Sequence, residues 1–591
     1  KMAKQLQLRG GTTSEHSSFT GAVREVTVDT DKKTIVVHDG STAGGFPLHR
    51  NSITSGSYNV GLGENAGTSI TTGSYNVAIG EKAQYLVTTG QRNTAVGHNS
   101  LKDSTASYNT AFGFKTLFTN TSATYNVGMG YQALWANTTG GSNTAVGGEA
   151  AMNGTTGTNN VAIGRNALKN ATTSGSNVAI GSSALAAMTT AGSSNTAVGN
   201  SALGSGVGGT YNVAIGRECL LSNSGTYNTA AGSFALQANT SNNSAAFGYQ
   251  AGYANTTGYN HVAVGYQALL ANTTGVQNVG VGHSALKSAT TGSNNTAIGS
   301  YAADAVTTGT GVVAVGHGAL GAMTTGSDNV AVGVGAGGAI TTHSHNTFIG
   351  NQAGRLCTAS QNVALGAFAF YDATTGTNNV CVGGWAGQDI TIGDGNVCVG
   401  KSSGSLISEG DGNVCVGLNA GDVITTGTNN VMIGLSTDPS AATTNNELVI
   451  GTNSAVGKGD STGFIAPANG GVYQVNNSAN WSTTSDRRIK KNIVDNDIGL
   501  EAINQIRVRN FEYRTPDEID ELPKESAIDK EGLQLGVIAQ EIQTVLPDVV
   551  KQESTGCYSV NPDNMTWYLV NAVKELSAKV EELEKWKEKN T

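Results

Sequence analysis

A five-residue phrase, Asn-Val-Ala-Ile-Gly or a near variant, recurs at a spacing of 17 residues and sets the hydrophobic rhythm of the chain. In Tyr75-Asn76-Val77-Ala78-Ile79-Gly80 three apolar residues stand between an amide and a glycine. That length suits one short strand whose side chains alternate between two faces. The closing glycines run from Gly63, Gly80 and Gly97 to Gly417, Gly434 and Gly451, which makes 24 copies with occasional steps of 16 and one of 18. A second small apolar segment follows each strand, as in Ala133-Leu134 or Ala167-Leu168. Thr-Thr-Gly or Thr-Ser-Gly then signals a turn. Seventeen residues are too few for a pair of helices, and β-branched residues with abundant Gly favour strands. The predicted fold class is mainly β: an elongated β-solenoid in which each repeat stacks on the next. Each chain forms its own β-roll, or three chains intertwine in a triple β-helix.

A coil this small is expected to enclose little core, so burial must also come from neighbouring chains. Leu117, Leu134, Met152, Leu168 and Leu185 are therefore expected to line one edge as an apolar stripe that a homotrimer closes. At about 4.8 Å per coil, 24 coils extend on the order of 115 Å. The recurring Asn is expected to bond backbone groups at the turns and to form a ladder along the axis. Tyr58, Tyr75, Tyr108 and Tyr125 recur at one repeat position, where they cover the coil edge or stack on sugars, the first being favoured. Cys381, Cys398 and Cys415 fall one repeat apart and read as a stack of small apolar side chains inside the coils.

Composition narrows the classes. Gly contributes 81 residues, the charged residues only 13% and the aromatics 6%, and the formal net charge is −9. No basic run suggests nucleic acid. Seven prolines and the absence of a three-residue Gly period exclude collagen. No apolar stretch approaches the roughly 20 residues needed to cross a bilayer, and KMAKQLQLRGG has no apolar core of a secretory signal. No metal and no cofactor are expected.

Residues 1–50 break the period. Glu25–Val28 and Thr34–His38 read as two strands, and His16, His38 and His49 as surface histidines. The phrase QLRGGTTSEHSSFTGAVREVTVDTDKKTIVVHDG resembles segments near the N-termini of phage tail-fibre and appendage proteins, which implies attachment to the virion. The repeats themselves are similar to the head repeats of trimeric bacterial adhesins and to stalk repeats of phage and algal-virus fibres.

From about residue 485 roughly half of the chain's charged residues crowd into its last fifth. Strand candidates surround Arg507–Tyr513. Ile538, Ile542, Val545 and Leu546 give a helical face that Pro547 stops. A helix beginning near Trp567 carries Leu569, Val573, Leu576, Val580 and Leu583 at 4-3-4-3 spacing, a short coiled-coil seam. SDRRIKKNI, GVIAQEIQTVLPDVV and the terminal heptads, in this order, resemble the peptidase S74 family of intramolecular chaperones. The resemblance implies that Ser485 and Lys490 form a dyad cutting the Thr484–Ser485 bond, with Asp486, Arg487 and Asn492 supporting the loop. On spacing alone, a Ser and a Lys five apart are a solvated basic cluster.

The expected organisation is an N-terminal attachment region (1–50), a repeat shaft (51–455), a linker (456–484) and a small α+β chaperone domain ending in a coiled-coil helix (485–591). The expected function is a homotrimeric virion fibre, made in the host cytoplasm, that joins a baseplate, tail or capsid protein to a host glycan or protein receptor. It is not membrane-embedded. A polysaccharide-degrading spike would need two opposed carboxylates in a cleft, whereas Asp389, Asp394, Asp411 and Asp422 fall mostly at turns. A trimeric bacterial surface adhesin would need a secretion signal and a β-stranded anchor.

Overall fold

The computed structural model describes residues 9–22, 25–31, 34–38, 41–43, 46–47, 58–189, 192–467, 471–474, 481–482, 485–522, 524, 527–528, 530–553 and 556–591. The chain divides into two compact units, residues 1–484 and 485–591. His49 and Thr484 lie outside the described residues.

The first unit opens with a four-stranded sheet. Arg9–Gly11 runs parallel to Val26–Asp29, which pairs antiparallel with Thr34–Val37, and that strand pairs with Phe46–Pro47. A short helix, Thr13–Ser18, starts in a capping box: Glu15 N–H donates to Thr12 Oγ1 and Thr12 N–H to Glu15 Oε2.

Every repeat contributes one strand, from Val60–Leu62 to Leu448–Gly451. Each pairs in parallel, in register, with the same chain's next coil, as in Val161↔Val178, Ala162↔Ala179 and Ile163↔Ile180. This is a single-chain β-roll, which settles the topology against an intertwined triple β-helix. Within 456–484, Gly463–Ala466 prolongs the ladder in parallel, and Val472–Gln474 and Trp481–Ser482 add to it antiparallel.

The leucines contradict the expected edge stripe. Leu117, Leu134, Leu168 and Leu185 are fully buried inside the coils, and Met152 is half-buried. The reason is backbone conformation. Leu134 has φ 52° and Gln132 also 52°, so the segment after the strand turns through left-handed positions that point the leucine inward. Each coil thus has a core of its own, built from the strand's central residue (Ala78, Ala95, Ala111) and the following Ala-Leu pair.

In four coils the interior positions exchange volume. Where the strand centre enlarges to Phe348, Cys381, Cys398 or Cys415, the leucine position shrinks to Gly354, Gly387, Gly404 or Gly421. A Cβ on Gly354 would lie 2.6 Å from the Phe348 ring. The three stacked cysteines are therefore filler of the same interior column, fully buried and free, as expected. The repeat-closing glycine is fixed by two constraints. Gly130 has φ +135°, and a Cβ there would meet the carbonyl oxygen of Gly147 at 2.5 Å.

The second unit packs Ile542, Leu546, Val549 and Tyr568 into a small core. Arg509–Phe511 pairs with Gln534–Gly536, and Val550–Gln552 with Tyr558–Val560. The last helix, Pro562–Asn590, begins five residues before Trp567, at an Asn561 cap whose Oδ1 accepts from Asp563 and Asn564 N–H.

Candidate functional site

The dyad loop opens the second unit. Asp486 caps a single 3-10 turn, Arg487–Ile489, by accepting from Arg488 N–H at 2.8 Å, and its carboxylate pairs with the Arg488 guanidinium at 2.6 Å. Those bonds hold its carboxyl below the usual carboxylate range. The turn reverses the chain so that Lys490 Nζ comes 2.5 Å from Ser485 Oγ. Spacing alone did not require this meeting. Asn492 follows in the left-handed region, φ 54°, while Arg487 lies within the turn and is exposed. Both dyad groups face solvent, as do Ile489, Ile493 and Val494 at 69%, 59% and 85% exposure.

The stretch after the dyad is bolted to the terminal helix. Asn571 Nδ2 donates to the carbonyls of Asn496 and Ile498, and the Glu575 carboxylate accepts Leu500 N–H at 3.0 Å. That helix buries Tyr568 and Ala572 against its own unit. Its other face leaves Leu569, Val573, Leu576, Val580 and Leu583 exposed as a continuous seam.

On the solenoid, the flanking residues of each strand face outward. Leu62, Phe112, Met129, Ile215 and Phe247 are 43–55% exposed and form one column beside a second of Val and Thr. A parallel sheet normally has both faces covered; here one face is covered by the coil interior. The tyrosines flank this face. Tyr58 stacks on Tyr75 and Tyr108 on Tyr125, each at 5.0 Å between ring centroids, and Arg92 sits between the pairs at 5.6 and 5.5 Å. Stacking takes one face of each ring and Arg92 lies over Tyr75 and Tyr108, while Tyr58 and Tyr125 stay 75% and 60% exposed at the ends of the stack.

The asparagines form the expected ladder. Asn396 Oδ1 accepts Asn413 N–H, and Asn396 Nδ2 donates to Gly410 C=O, a pattern repeated coil after coil. His261 stands in for one Asn: its Nδ1 accepts Asn278 N–H and the ring is also bonded to the Gly275 backbone. Glu447 ends the ladder, its carboxylate accepting from Ser440 N–H, Ser440 Oγ and Gly459 N–H.

Asp394 and Asp411 sit at turns, accepting Thr377 and Asp394 N–H respectively. Asp389 and Asp422 lie in another column, where burial, and for Asp389 the neighbouring Asp372, pushes their carboxyls up. His16 and His38 are a second correction: both are buried, tied through Thr27. Among the described residues no cluster of three or more metal-ligating groups forms, and no helix is long and apolar enough to cross a membrane.

Residues 6–42 match the family model of the Major tropism determinant N-terminal domain, and residues 485–551 that of the Chaperone of endosialidase. The tail fiber receptor-binding protein of Bordetella phage BPP-1 is 60% identical over 57 residues, 10% of this chain and 15% of that relative. The chain thus spans a small part of the relative's length. No solved structure matches it.

Proposed function

We propose that this chain is a homotrimeric bacteriophage tail fibre that attaches the virion to a host receptor, and that its C-terminal unit assembles the fibre and then cuts itself away. The observation that carries the reading is at the unit boundary. The chaperone match begins at Ser485, the first residue of the second unit, and Lys490 Nζ lies on its hydroxyl.

Two exposed apolar surfaces, one on each unit, support the trimer. The seam of the terminal helix fits a short parallel coiled coil. The outward apolar columns of the solenoid fit the same columns of two further copies around an axis. The N-terminal module joins a virion protein, and the solenoid presents its outer side to a host glycan or protein.

For cleavage, a neutral Lys490 takes the Ser485 Oγ proton while Oγ attacks the Thr484 carbonyl carbon. The C–N bond then breaks, and the Ser485 amine takes the proton back from Lys490. The resulting Thr484–Oγ ester is hydrolysed by water to a Thr484 carboxylate and a free Ser485 hydroxyl. A solvated ammonium is a poor base. Burial of the dyad under partner copies, seated on Ile489, Ile493 and Val494, supplies the desolvation.

Intact-mass spectrometry of the wild type, Ser485→Ala and Lys490→Ala tests this. Release of a 485–591 fragment from the wild type alone is expected. A full-length wild-type mass in an assembled trimer overturns the cleavage, and a monomeric chain overturns the fibre.

A further inference from the structure

Four hydrogen bonds in the N-terminal module form one directed chain. Gly21 N–H donates to His38 Nδ1 at 3.3 Å, so the His38 proton sits on Nε2 and donates to Thr27 Oγ1 at 2.9 Å. The Thr27 hydroxyl then donates its own proton to His16 Nε2, also at 2.9 Å, and His16 Nδ1–H donates to the Thr12 carbonyl at 3.0 Å. The backbone donor at one end and the carbonyl at the other fix every proton between them. Both rings must be neutral and of opposite tautomer. All three side chains are buried: His16 is 6% exposed, Thr27 1% and His38 2%. Together they join the helix, the central strand, the end of the third strand and the Gly21 loop.

Protonating either ring breaks the chain. An added proton on His16 Nε2 points at Thr27 Oγ1, which then accepts from both imidazoles and has nowhere to donate. An added proton on His38 Nδ1 faces the Gly21 N–H donor. The surrounding carboxylates are already engaged: Glu15 with Thr12 N–H, Glu25 with Ala22 N–H, Asp29 with the Thr13 hydroxyl and Asp31 with Thr13 N–H. Among the described residues the nearby cation is Arg9, which lies over Phe19 at 4.5 Å, and Phe19 meets His38 edge-on at 5.1 Å. Both rings pack against glycines: a Cβ on Gly21 would come 2.6 Å from the His38 ring, and one on Gly11 would crowd His16 at 3.1 Å.

We propose that this His16–Thr27–His38 relay is an acid-operated latch: acid opens the N-terminal module while the solenoid coils stay closed. Amide hydrogen exchange on the full-length protein tests it, read at about pH 7.5 and about pH 5 and corrected for the intrinsic pH dependence of exchange. Peptides within 9–38 are expected to lose protection at least tenfold in acid, the loss of about one buried hydrogen bond, while Asn-ladder peptides away from the His261 coil (residues 255–282) do not. The double variant His16→Gln, His38→Gln is expected to show no acid-dependent loss, and Thr27→Val to exchange fast at both pH values. Equal wild-type protection at both pH values overturns the latch, and so does an acid loss that persists in the double variant. If the variants fail to form the module, imidazole C2–H exchange in the wild type decides. Rings that titrate while their amides stay protected overturn the proposal, and coincident midpoints support it.

Discussion

Asn396→Ala isolates what the amide ladder contributes. The wild-type side chain is fully buried, and its Oδ1 accepts Asn413 N–H at 2.9 Å while its Nδ2 reaches Gly410 C=O at 2.8 Å. Alanine keeps the residue's own N–H bond to Asn379 Oδ1 but orphans both of those groups. Each buried unsatisfied group costs about 1–3 kcal/mol, so the pair costs about 2–6 kcal/mol, with water entry setting the lower end. In a stacked-repeat fold that cost is local, and a single melting temperature dilutes it. Hydrogen exchange by peptide reads it directly: residues 396–413 are expected to exchange roughly 30-fold to 10⁴-fold faster than in the wild type. Lys401→Ala, an exposed change in the same coil, is the control. The chain carries a converse case. Val312 occupies the ladder position and has no acceptor for Asn329 N–H, so Val312→Asn is expected to slow exchange there by about 1–2 kcal/mol. Exchange in Asn396→Ala within threefold of the Lys401→Ala control would refute the claim that the ladder bonds stabilise the coils.

Two acid responses of opposite sign are expected within the solenoid. Burial pushes the His261 imidazole down to about 4 from 6.5. The folded coil therefore binds fewer protons than the unfolded chain, and about 3 kcal/mol of local stability, full above pH 6.5, is lost as pH falls toward 4. His261→Asn should abolish that loss in exchange of residues 255–282. Burial, with the Asp422 carboxylate beside it, pushes Asp438 up to about 6. Here the folded state binds more protons, so the coil gains stability as pH falls from 6 toward 3.8, on the order of 1 kcal/mol for a half-exposed group. Asp422→Asn should flatten that gain in exchange of residues 414–438.

What the sequence displayed and what it hid separate along physical lines. The 17-residue period, the strand at each Val-Ala-Ile and the Asn ladder were legible, because a repeated hydrogen-bonding demand recurs as a repeated residue. The left-handed positions were not. The position with positive φ before each strand is held by Tyr75, Arg92, Ser142, Asn159 and His345 in different coils, and only its Asn and Gly members announce the conformation. The left-handed positions after the strand, such as Gln132 and Leu134, carry no signal either, and without them the leucines point outward on paper and inward in the fold. At the dyad, the Asp486 cap was the missing link: an Asp two residues before the Arg whose N–H it accepts closes a single turn, and that turn brings Lys490 back to Ser485. The Asn561-Pro562 pair, a cap followed by a favoured first helical residue, was a readable signal for the last helix and places its start ahead of Trp567. The histidine relay had no such signal, since its members lie 11 residues apart on either side of Thr27 and on three separate elements.

The proposed trimer also explains why such a chain needs a terminal chaperone. Within one chain, register is never in question, because each coil is covalently followed by the next. Interior devices such as Phe348 with Gly354, or the three cysteines with their glycines, individualise the coils, but they are hidden inside the roll. What one chain shows another is the outward pair of columns, Val or Thr beside Ile, Val, Leu, Phe or Met, almost the same at every rung. Sliding one copy past another by a coil exchanges Val for Thr or Ile for Val and gives up little apolar area. The solenoid face therefore favours association while discriminating registers weakly. Discrimination has to come from a non-repeating end, and the second unit is the one whose exposed seam is short, unique and adjacent to the last coils in sequence. Cleavage at Ser485 after assembly would then remove the part that chose the register and leave the part that keeps it, so that sliding back requires breaking every rung at once.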